Sequence, residues 1–183
     1  MTAGHDHEWE RALPALMVRY QAADEAAAEE LVRSLSPRLL RFFITSGVAS
    51  HEADDLLQDC WLRIHRSRHT YRAAEPVMPW VFAIARHTRL DGNRRQRRRD
   101  RREVLVADPP EVVAESPADA PSRAEQLMRM VAMLPESQRE VVLMLKLYGM
   151  SLEDVAKATS STVGAVKQRA HRACTTLRKT FER

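Results

Sequence analysis

Residues 151–179 read SLEDVAKATSSTVGAVKQRAHRACTTLRK, a stretch with the pattern of two helices joined by a tight turn. Ser151 and Asp154 form a serine-x-x-acid capping box, which predicts the start of the first helix. Thr162 is placed to cap the second helix, where apolar residues recur at spacings of three and four from Val163 onward. The segment therefore predicts a helix-turn-helix.

The polar face of the second predicted helix is basic. It carries Lys167, Gln168, His171 and Arg172. Side chains of this kind on a helix can reach base edges and phosphates in the major groove of a duplex. The alternative is an amphipathic helix with a solvated basic face. The motif alone indicates DNA binding and nothing finer.

Upstream of this segment the composition changes abruptly. Residues 94–102 hold seven arginines and one aspartate, whereas residues 103–120 hold five acids and no base. Four of the nine prolines fall in residues 107–121, and proline disfavours helix. We expect an N-terminal unit over residues 1–102, an extended acidic linker over 103–121 and a C-terminal unit over 122–183.

The rest of the chain predicts helices in both units. Asp24 can cap a helix, Pro37 after a capping serine suggests that this helix restarts, and Gly47 ends it. Ser50 can cap the next helix, and a long helix begins near Val77 and runs into the arginines. Because no alternating strand pattern is visible, the predicted fold class is all-α, with two small helical domains.

Residues 54–66, DDLLQDCWLRIHR, predict a helix with one apolar and one acidic side. Cys60 and Trp61 fall on the apolar side and are expected in the core. Leu62 falls among acids and amides on the other side, which suggests a protein-binding face. A single exposed leucine without a function is the alternative, since such residues are common.

Residues 79–99, PWVFAIARHTRLDGNRRQRRR, predict a helix whose buried stripe lies opposite Arg86, Arg89 and Asn93. Aromatic and cationic side chains together can hold unstacked single-stranded bases and their backbone. Phe82 could take part in this, but packing against a neighbouring helix is the preferred interpretation. The preceding loop, residues 69–72, repeats the combination of aromatic and basic residues.

The bulk composition excludes several classes of protein. The chain has 183 residues, a net charge of +4 and only two cysteines, Cys60 and Cys174, without metal-ligand spacing. A disulfide framework or a zinc site is not expected, both thiols are expected to be buried, and the cysteine usage fits the cytoplasm. No nucleophile constellation, carboxylate pair or phosphate loop is visible. We expect no enzyme, no cofactor, no metal and no small-molecule substrate.

Three segments together resemble the extracytoplasmic-function (ECF) sigma factors of the sigma-70 family. DDLLQDCWLRIHR is similar to their polymerase-binding segment, PWVFAIARHTRLDGNRRQRR to their promoter-melting helix, and MSLEDVAKATSSTVGAVKQRAHRA to their helix-turn-helix. The resemblance covers roughly residues 22–178, in the family's order. It implies a sigma factor that binds core RNA polymerase and directs promoter-specific initiation in a stress or envelope response.

The resemblance also implies a role for each motif. Residues that would dock on the beta-prime and beta subunits of polymerase are Asp54, Asp55, Gln58, Asp59 and Leu62. Residues that would hold the melted minus-ten element are Tyr71, Arg72, Arg86, His87, Arg89, Asn93, Arg94 and Arg95. Residues that would read the minus-thirty-five element are Thr162, Lys167, Gln168, His171 and Arg172. The acidic linker would lie in the polymerase channel.

The family pattern also implies control by an anti-sigma factor, often membrane-bound, which could hold this cytoplasmic protein at the inner membrane. The chain departs from the pattern at His87, where asparagine is frequent, and at Ser160, where glycine is usual. A serine there predicts strained backbone. The rival hypotheses are a free-standing helix-turn-helix regulator and an RNA-binding protein that uses the arginine cluster.

Overall fold

A computed structural model describes residues 3–103 and 123–181, and every regular element in these ranges is helical. The N-terminal unit comprises α1 (Ala3–Gln21), α2 (Glu25–Thr45), α3 (Ser50–Ser67), a 3-10 turn (Arg68–Thr70) and α4 (Val77–Glu103). The C-terminal unit comprises α5 (Arg123–Ala132), α6 (Glu136–Val142), a π-helical turn (Leu143–Leu147), α7 (Leu152–Ala158) and α8 (Val163–Phe181). The all-α prediction is confirmed. The predicted linker lies outside the described residues from 104 onward.

Helix α2 begins at the predicted cap, but the prediction that it restarts at Pro37 is wrong. The Asp24 carboxylate accepts a hydrogen bond from the Ala27 amide at 3.0 Å, and this bond lowers the pKa of Asp24. The helix does not restart at Pro37, which lies inside it. Ser36 does not act as a cap, because its hydroxyl accepts a hydrogen bond from Trp61 Nε1 at 2.9 Å. Burial of Leu35 and Leu39 on either side of the proline keeps the helix continuous.

The segment between α2 and α3 has two distinct features. Gly47, at φ +93°, occupies the left-handed position just after α2, as expected for a helix-ending glycine. Ser50 was expected to cap α3, but Ala49 is the capping residue and Ser50 is the first residue of the helix. That prediction was therefore wrong by one position, and the Ala49 cap contributes no side-chain hydrogen bond.

The two units share one continuous hydrophobic core. Helix α4 packs on α1, α2 and α3 through one side, and α7 packs on it from the other. Phe82 of α4 is fully buried, with its ring centroid 5.2 Å from that of Phe42 and 4.6 Å from that of Tyr148. Phe82 therefore serves in packing, as the sequence favoured, and its neighbours come from both units.

The helix-turn-helix prediction is confirmed in its details. The Ser151 hydroxyl accepts from the Asp154 amide at 3.0 Å, and the Ser151 amide donates to the Asp154 carboxylate at 3.4 Å. The Thr162 hydroxyl accepts from the Ala165 amide at 3.2 Å at the start of α8. Ser160 lies in the turn at φ +50°, so the strained serine is also found. No described helix is long and apolar enough to cross a membrane.

Candidate nucleic-acid interface

Helix α8 presents a free basic face. The four predicted side chains that share this face are all exposed: Lys167, Gln168, His171 and Arg172. Val166 and Ala173, on the opposite side, are buried. The turn before α8 is held by local hydrogen bonds: the Ser160 and Ser161 amides donate to carbonyls at the end of α7, and the Thr162 hydroxyl caps the start of α8. The structure therefore brings together the whole set predicted to read duplex DNA.

The arginines in the first half of α4 are not free. Arg89 was predicted on the outward side of α4, but its side chain is 1% exposed. Its Nη1 lies 2.7 Å from a carboxylate oxygen of Glu136, and its Nη2 donates to Glu140. Arg86 Nε lies 3.0 Å from the other Glu140 oxygen. We call these four residues the α4–α6 ion cluster.

The outward placement of Arg89 was wrong because the C-terminal unit packs on that side of α4. The pattern of α4 alone cannot show this, since the covering helix lies more than thirty residues further along the chain. One signal was present in the sequence. Glu136 and Glu140 are spaced i, i+4 on α6, and Arg86 and Arg89 are spaced i, i+3 on α4, so each pair lies on one face of its helix.

The remaining basic residues of α4 fall on a different surface. His87 is exposed, and its Nδ1 lies 2.8 Å from the Ala83 carbonyl oxygen. Arg94 is exposed near Asp91, and Arg95 lies 3.1 Å from Asp59 of α3. The predicted minus-ten set is thus divided: Arg86 and Arg89 face the C-terminal unit, whereas Asn93 and Arg95 face α3.

The loop before α4 holds Tyr71 in a buried position. The Tyr71 hydroxyl donates to the Glu75 carbonyl at 2.6 Å, and its ring meets the Trp80 ring edge-on at 5.7 Å. Burial raises the pKa of Tyr71. Gln21 anchors the loop by donating to the Tyr71 carbonyl at 2.9 Å. Arg72 is exposed, so in this conformation Arg72 is accessible to a nucleotide and Tyr71 is not.

An open groove of about 600 Å³ runs between α3 and α4. Four of the five predicted polymerase-binding residues line it, namely Asp55, Gln58, Asp59 and Leu62, and Asp54 is exposed nearby on α3. Leu62 is 53% exposed, so a large apolar side chain in the groove is accessible to a partner. At the floor of the groove the helices approach closely, because a Cβ on Gly92 would lie 2.8 Å from Leu56 Cδ2.

Sequence reasoning missed the residues that join the two units. Tyr148, after the π-helical turn, packs on Phe82 and donates its hydroxyl to the Arg38 carbonyl at 3.2 Å. Burial raises the pKa of Tyr148. Arg139 donates to the Ser46 carbonyl at 3.1 Å. Neither residue belongs to a recognisable motif, and only the docked arrangement reveals them.

The fold and its surfaces define a class: a two-part helical transcription protein with a helix-turn-helix, a second basic helix and an acidic, apolar-lined groove. Comparison with known proteins is more specific. Residues 31–99 match the family described as Sigma-70 region 2, and residues 124–177 match Sigma-70, region 4. The ECF RNA polymerase sigma factor SigF of Caulobacter vibrioides is 34% identical over 95% of this chain and 96% of its own length.

Two solved structures share the fold. The sigma factor RpoE of Bartonella quintana, in complex with the anti-sigma factor NepR, has a TM-score of 0.69 and 24% identity, over 84% of this chain and 96% of that one. CnrH, in complex with the cytosolic domain of CnrY, has a TM-score of 0.70 and 21% identity, over 93% and 97%.

The chain therefore belongs to the ECF RNA polymerase sigma factors. This family directs RNA polymerase to promoters by binding both the polymerase core and promoter DNA, and it is not a class of enzymes.

Proposed function

We propose that the groove between α3 and α4 is the surface on which this sigma factor binds core polymerase. The observation that carries the proposal is the exposed Leu62 beside Asp55 and Asp59 in an open groove. An apolar side chain surrounded by acids suits a partner surface with an apolar contact and a basic rim. The beta-prime and beta subunits are the proposed partners.

Promoter DNA binds at two further surfaces in this proposal. The face of α8 with Lys167, Gln168, His171 and Arg172, together with Thr162 at its start, reads the minus-thirty-five duplex. The side chains assigned to the melted minus-ten strand are Tyr71, Arg72, Arg86, His87, Arg89, Asn93, Arg94 and Arg95. Since polymerase holds both units, the second DNA contact becomes effectively intramolecular, and neither unit needs high affinity alone.

Run-off transcription with purified core polymerase, on the promoter of the protein's own operon, tests these assignments. We expect Asp55→Ala/Leu62→Ala to lose transcript because polymerase binding fails, and Lys167→Ala/Arg172→Ala to lose it because the minus-thirty-five contact fails. Glu29→Ala/Val32→Ala, an exposed acid and apolar residue on α2, is the matched control for the first variant. Arg129→Ala/Lys146→Ala removes the same charge from the C-terminal unit and controls for the second.

The outcome also separates the sigma factor from a free-standing regulator. A sigma factor with the assigned surfaces loses specific transcripts in both test variants and keeps them in both controls. A chain that gives no transcript, yet binds the same duplex tightly without polymerase, would overturn the proposal. Retained activity of the groove variant would place polymerase binding elsewhere.

We further propose that an anti-sigma factor silences the protein in the cytoplasm by covering the α3–α4 groove or the α8 face. The complexes of RpoE with NepR and of CnrH with CnrY support this expectation. A membrane-bound partner would hold the protein at the inner membrane until a stress signal releases it. Hydrogen exchange of the silent complex should show protection at one of these surfaces. An inactive complex that leaves both unprotected would contradict the proposal.

A further inference from the structure

The α4–α6 ion cluster places two carboxylates where a nucleic-acid backbone would place phosphates. Arg89 donates to Glu136 from Nη1 and to Glu140 from Nη2, and Arg86 donates to the second oxygen of Glu140. Guanidinium groups bind carboxylate and phosphate oxygens with the same forked geometry. The carboxylate oxygens of Glu136 and Glu140 therefore bind Arg86 and Arg89 as the phosphate oxygens of a DNA strand would.

Because Arg89 and Glu140 are buried, the glutamates and a DNA strand cannot bind Arg89 at the same time. The Arg89 side chain is 1% exposed and the Glu140 side chain 4% exposed, so a strand cannot reach Arg89 while α6 lies on α4. The Arg86 side chain, at 22% exposed, is only partly accessible. Binding of DNA to this half of α4 and docking of the C-terminal unit on α4 are mutually exclusive states.

Contacts outside the cluster set the docked geometry. The Tyr148 ring packs on Phe82, with the ring centroids 4.6 Å apart, and lies 6.3 Å from Phe42. Arg139 reaches the Ser46 carbonyl through the space left by Gly47, where a Cβ would lie 2.6 Å from Arg139 Nη1. Lys157 of α7 lies 3.4 Å from Glu75 in the loop before α4. Docking is thus specific, and each of these contacts comes from the C-terminal unit to the N-terminal unit.

The α4–α6 ion cluster stabilises the docked state by less than its Coulomb attraction alone would give. Desolvation of a buried ion pair offsets much of its Coulomb attraction. Within the part of the chain that the structure describes, the buried Arg89 Nε has no hydrogen-bond acceptor. Such an unsatisfied donor costs free energy in the docked state only, because water solvates it once the units separate.

We propose that the C-terminal unit is a built-in competitor of promoter DNA, and that Glu136 and Glu140 are the groups that compete for Arg86 and Arg89. This inference rests on the proposed assignment of those arginines to the minus-ten strand. Undocking exposes both arginines together with Phe82. A population of docked molecules lowers the apparent affinity of the free protein for single-stranded DNA in proportion to the fraction that is undocked.

The test uses the full chain without polymerase and a fluorescent oligo-dT strand of about 15 nucleotides, because phosphate contacts do not depend on sequence. Glu140→Gln removes the central carboxylate of the cluster. Glu153→Gln, an exposed acid on α7, removes the same charge from the same unit and is the matched control. Docking is followed separately by energy transfer between dyes on the native Cys174 and on an Arg33→Cys substitution on α2; the buried Cys60 stays unlabelled.

We expect Glu140→Gln to lower energy transfer and to raise oligo-dT affinity about tenfold over wild type and over Glu153→Gln. The slope of log affinity against log salt should steepen by roughly 0.7 for each arginine freed, as expected for single strands. Adding Arg86→Ala to Glu140→Gln should reverse most of the gain. Glu136→Gln, at a residue whose side chain is 45% exposed, should act in the same direction with less risk to folding.

The possible failures are distinguishable. If both glutamine variants keep wild-type energy transfer and affinity, the competitor proposal is overturned, while loss of run-off transcription in Arg86→Ala would leave the minus-ten assignment intact. If the variants undock without any gain in affinity, and Arg86→Ala transcribes normally, the assignment of Arg86 and Arg89 to DNA is itself wrong. An equal gain in oligo-dT affinity for Glu153→Gln would mean that the loss of one negative charge is enough to raise the affinity, and it would also overturn the proposal.

Discussion

Helices α4 and α8 are both basic, and both were predicted from sequence to contact DNA, yet they stand in opposite states. The face of α8 is exposed along its length, and its residues are oriented by caps a few positions away in the chain. The first half of α4 is buried from both sides, and its Arg89 is held by glutamates from the other unit. The comparison separates two properties: the identity of a binding residue is a local feature, whereas its availability depends on what packs over it.

The largest expected difference is in the reactivity of the two cysteine thiols. Cys174 is exposed on α8, whereas Cys60 is buried on α3 beneath Thr88 of α4, and burial raises the pKa of Cys60 to about 12. Because the thiol stays protonated until the pH approaches this raised pKa, Cys60 carries very little thiolate at mildly alkaline pH. The expectation of two buried thiols thus holds for Cys60 and is wrong for Cys174.

A thiol-exchange reagent should therefore titrate one fast thiol in the native protein and two in denaturant. Cys174→Ser should abolish the fast phase, and Cys60→Ser should leave it unchanged. Two fast thiols in the native wild type would mean that the core beneath α4 opens readily, and the contrast between the helices would fail.

Substitutions on the two helices should also differ in how much they lower the free energy of unfolding. Phe82→Ala on α4 removes a fully buried ring that touches both units, and we expect a loss of about 3–5 kcal/mol in the free energy of unfolding. Lys167→Ala on α8 removes an exposed side chain and should stay within about 0.5 kcal/mol of wild type. Denaturant titration of both variants measures this. A Phe82→Ala loss below 1 kcal/mol would show that the shared core contributes little.

The same division explains what could be predicted from sequence. The capping box at Ser151 and the cap at Thr162 were derived from neighbours within a few residues, and the structure contains both. The strained Ser160 was expected from the family resemblance, because glycine is usual at that position, and it is also found. Pro37 and Arg89 were misjudged because distant groups decide their surroundings. Trp61 engages the serine that would have capped a new helix, and Glu140 covers the arginine that would have faced solvent.

A smaller effect tests the docking contact itself. Tyr148→Phe keeps the ring against Phe82 but removes the hydrogen bond to the Arg38 carbonyl, and we expect about 1 kcal/mol less stability. Because this bond joins the two units, energy transfer between them should fall as well. Tyr71→Phe removes a comparable bond, to the Glu75 carbonyl inside the N-terminal unit, and is the matched control. It should lower stability without reducing energy transfer.

The smallest expected effect is a gain in stability, from a substitution in the turn that orients α8. After α7, the Ser160 amide bonds to the Lys157 carbonyl at 3.2 Å and the Ser161 amide to the Ala156 carbonyl at 2.9 Å, with Ser160 at φ +50°. The same pair of bonds closes α2, where Gly47 takes the left-handed position. The left-handed conformation costs a residue with a Cβ roughly 1–2 kcal/mol, and the larger unfolded-state entropy of glycine offsets part of the relief.

Ser160→Gly should therefore stabilise the protein by about 0.5–1 kcal/mol, measured by denaturant titration. The control is Ser161→Gly, because Ser161 does not have a positive φ and its hydroxyl hydrogen-bonds to that of Thr159 at 2.7 Å. That change should destabilise. Duplex binding through α8 should be the same in Ser160→Gly and wild type, since α8 is already oriented. Weaker binding in the stabilised variant would instead mean that the strained serine itself sets the angle at which α8 meets DNA.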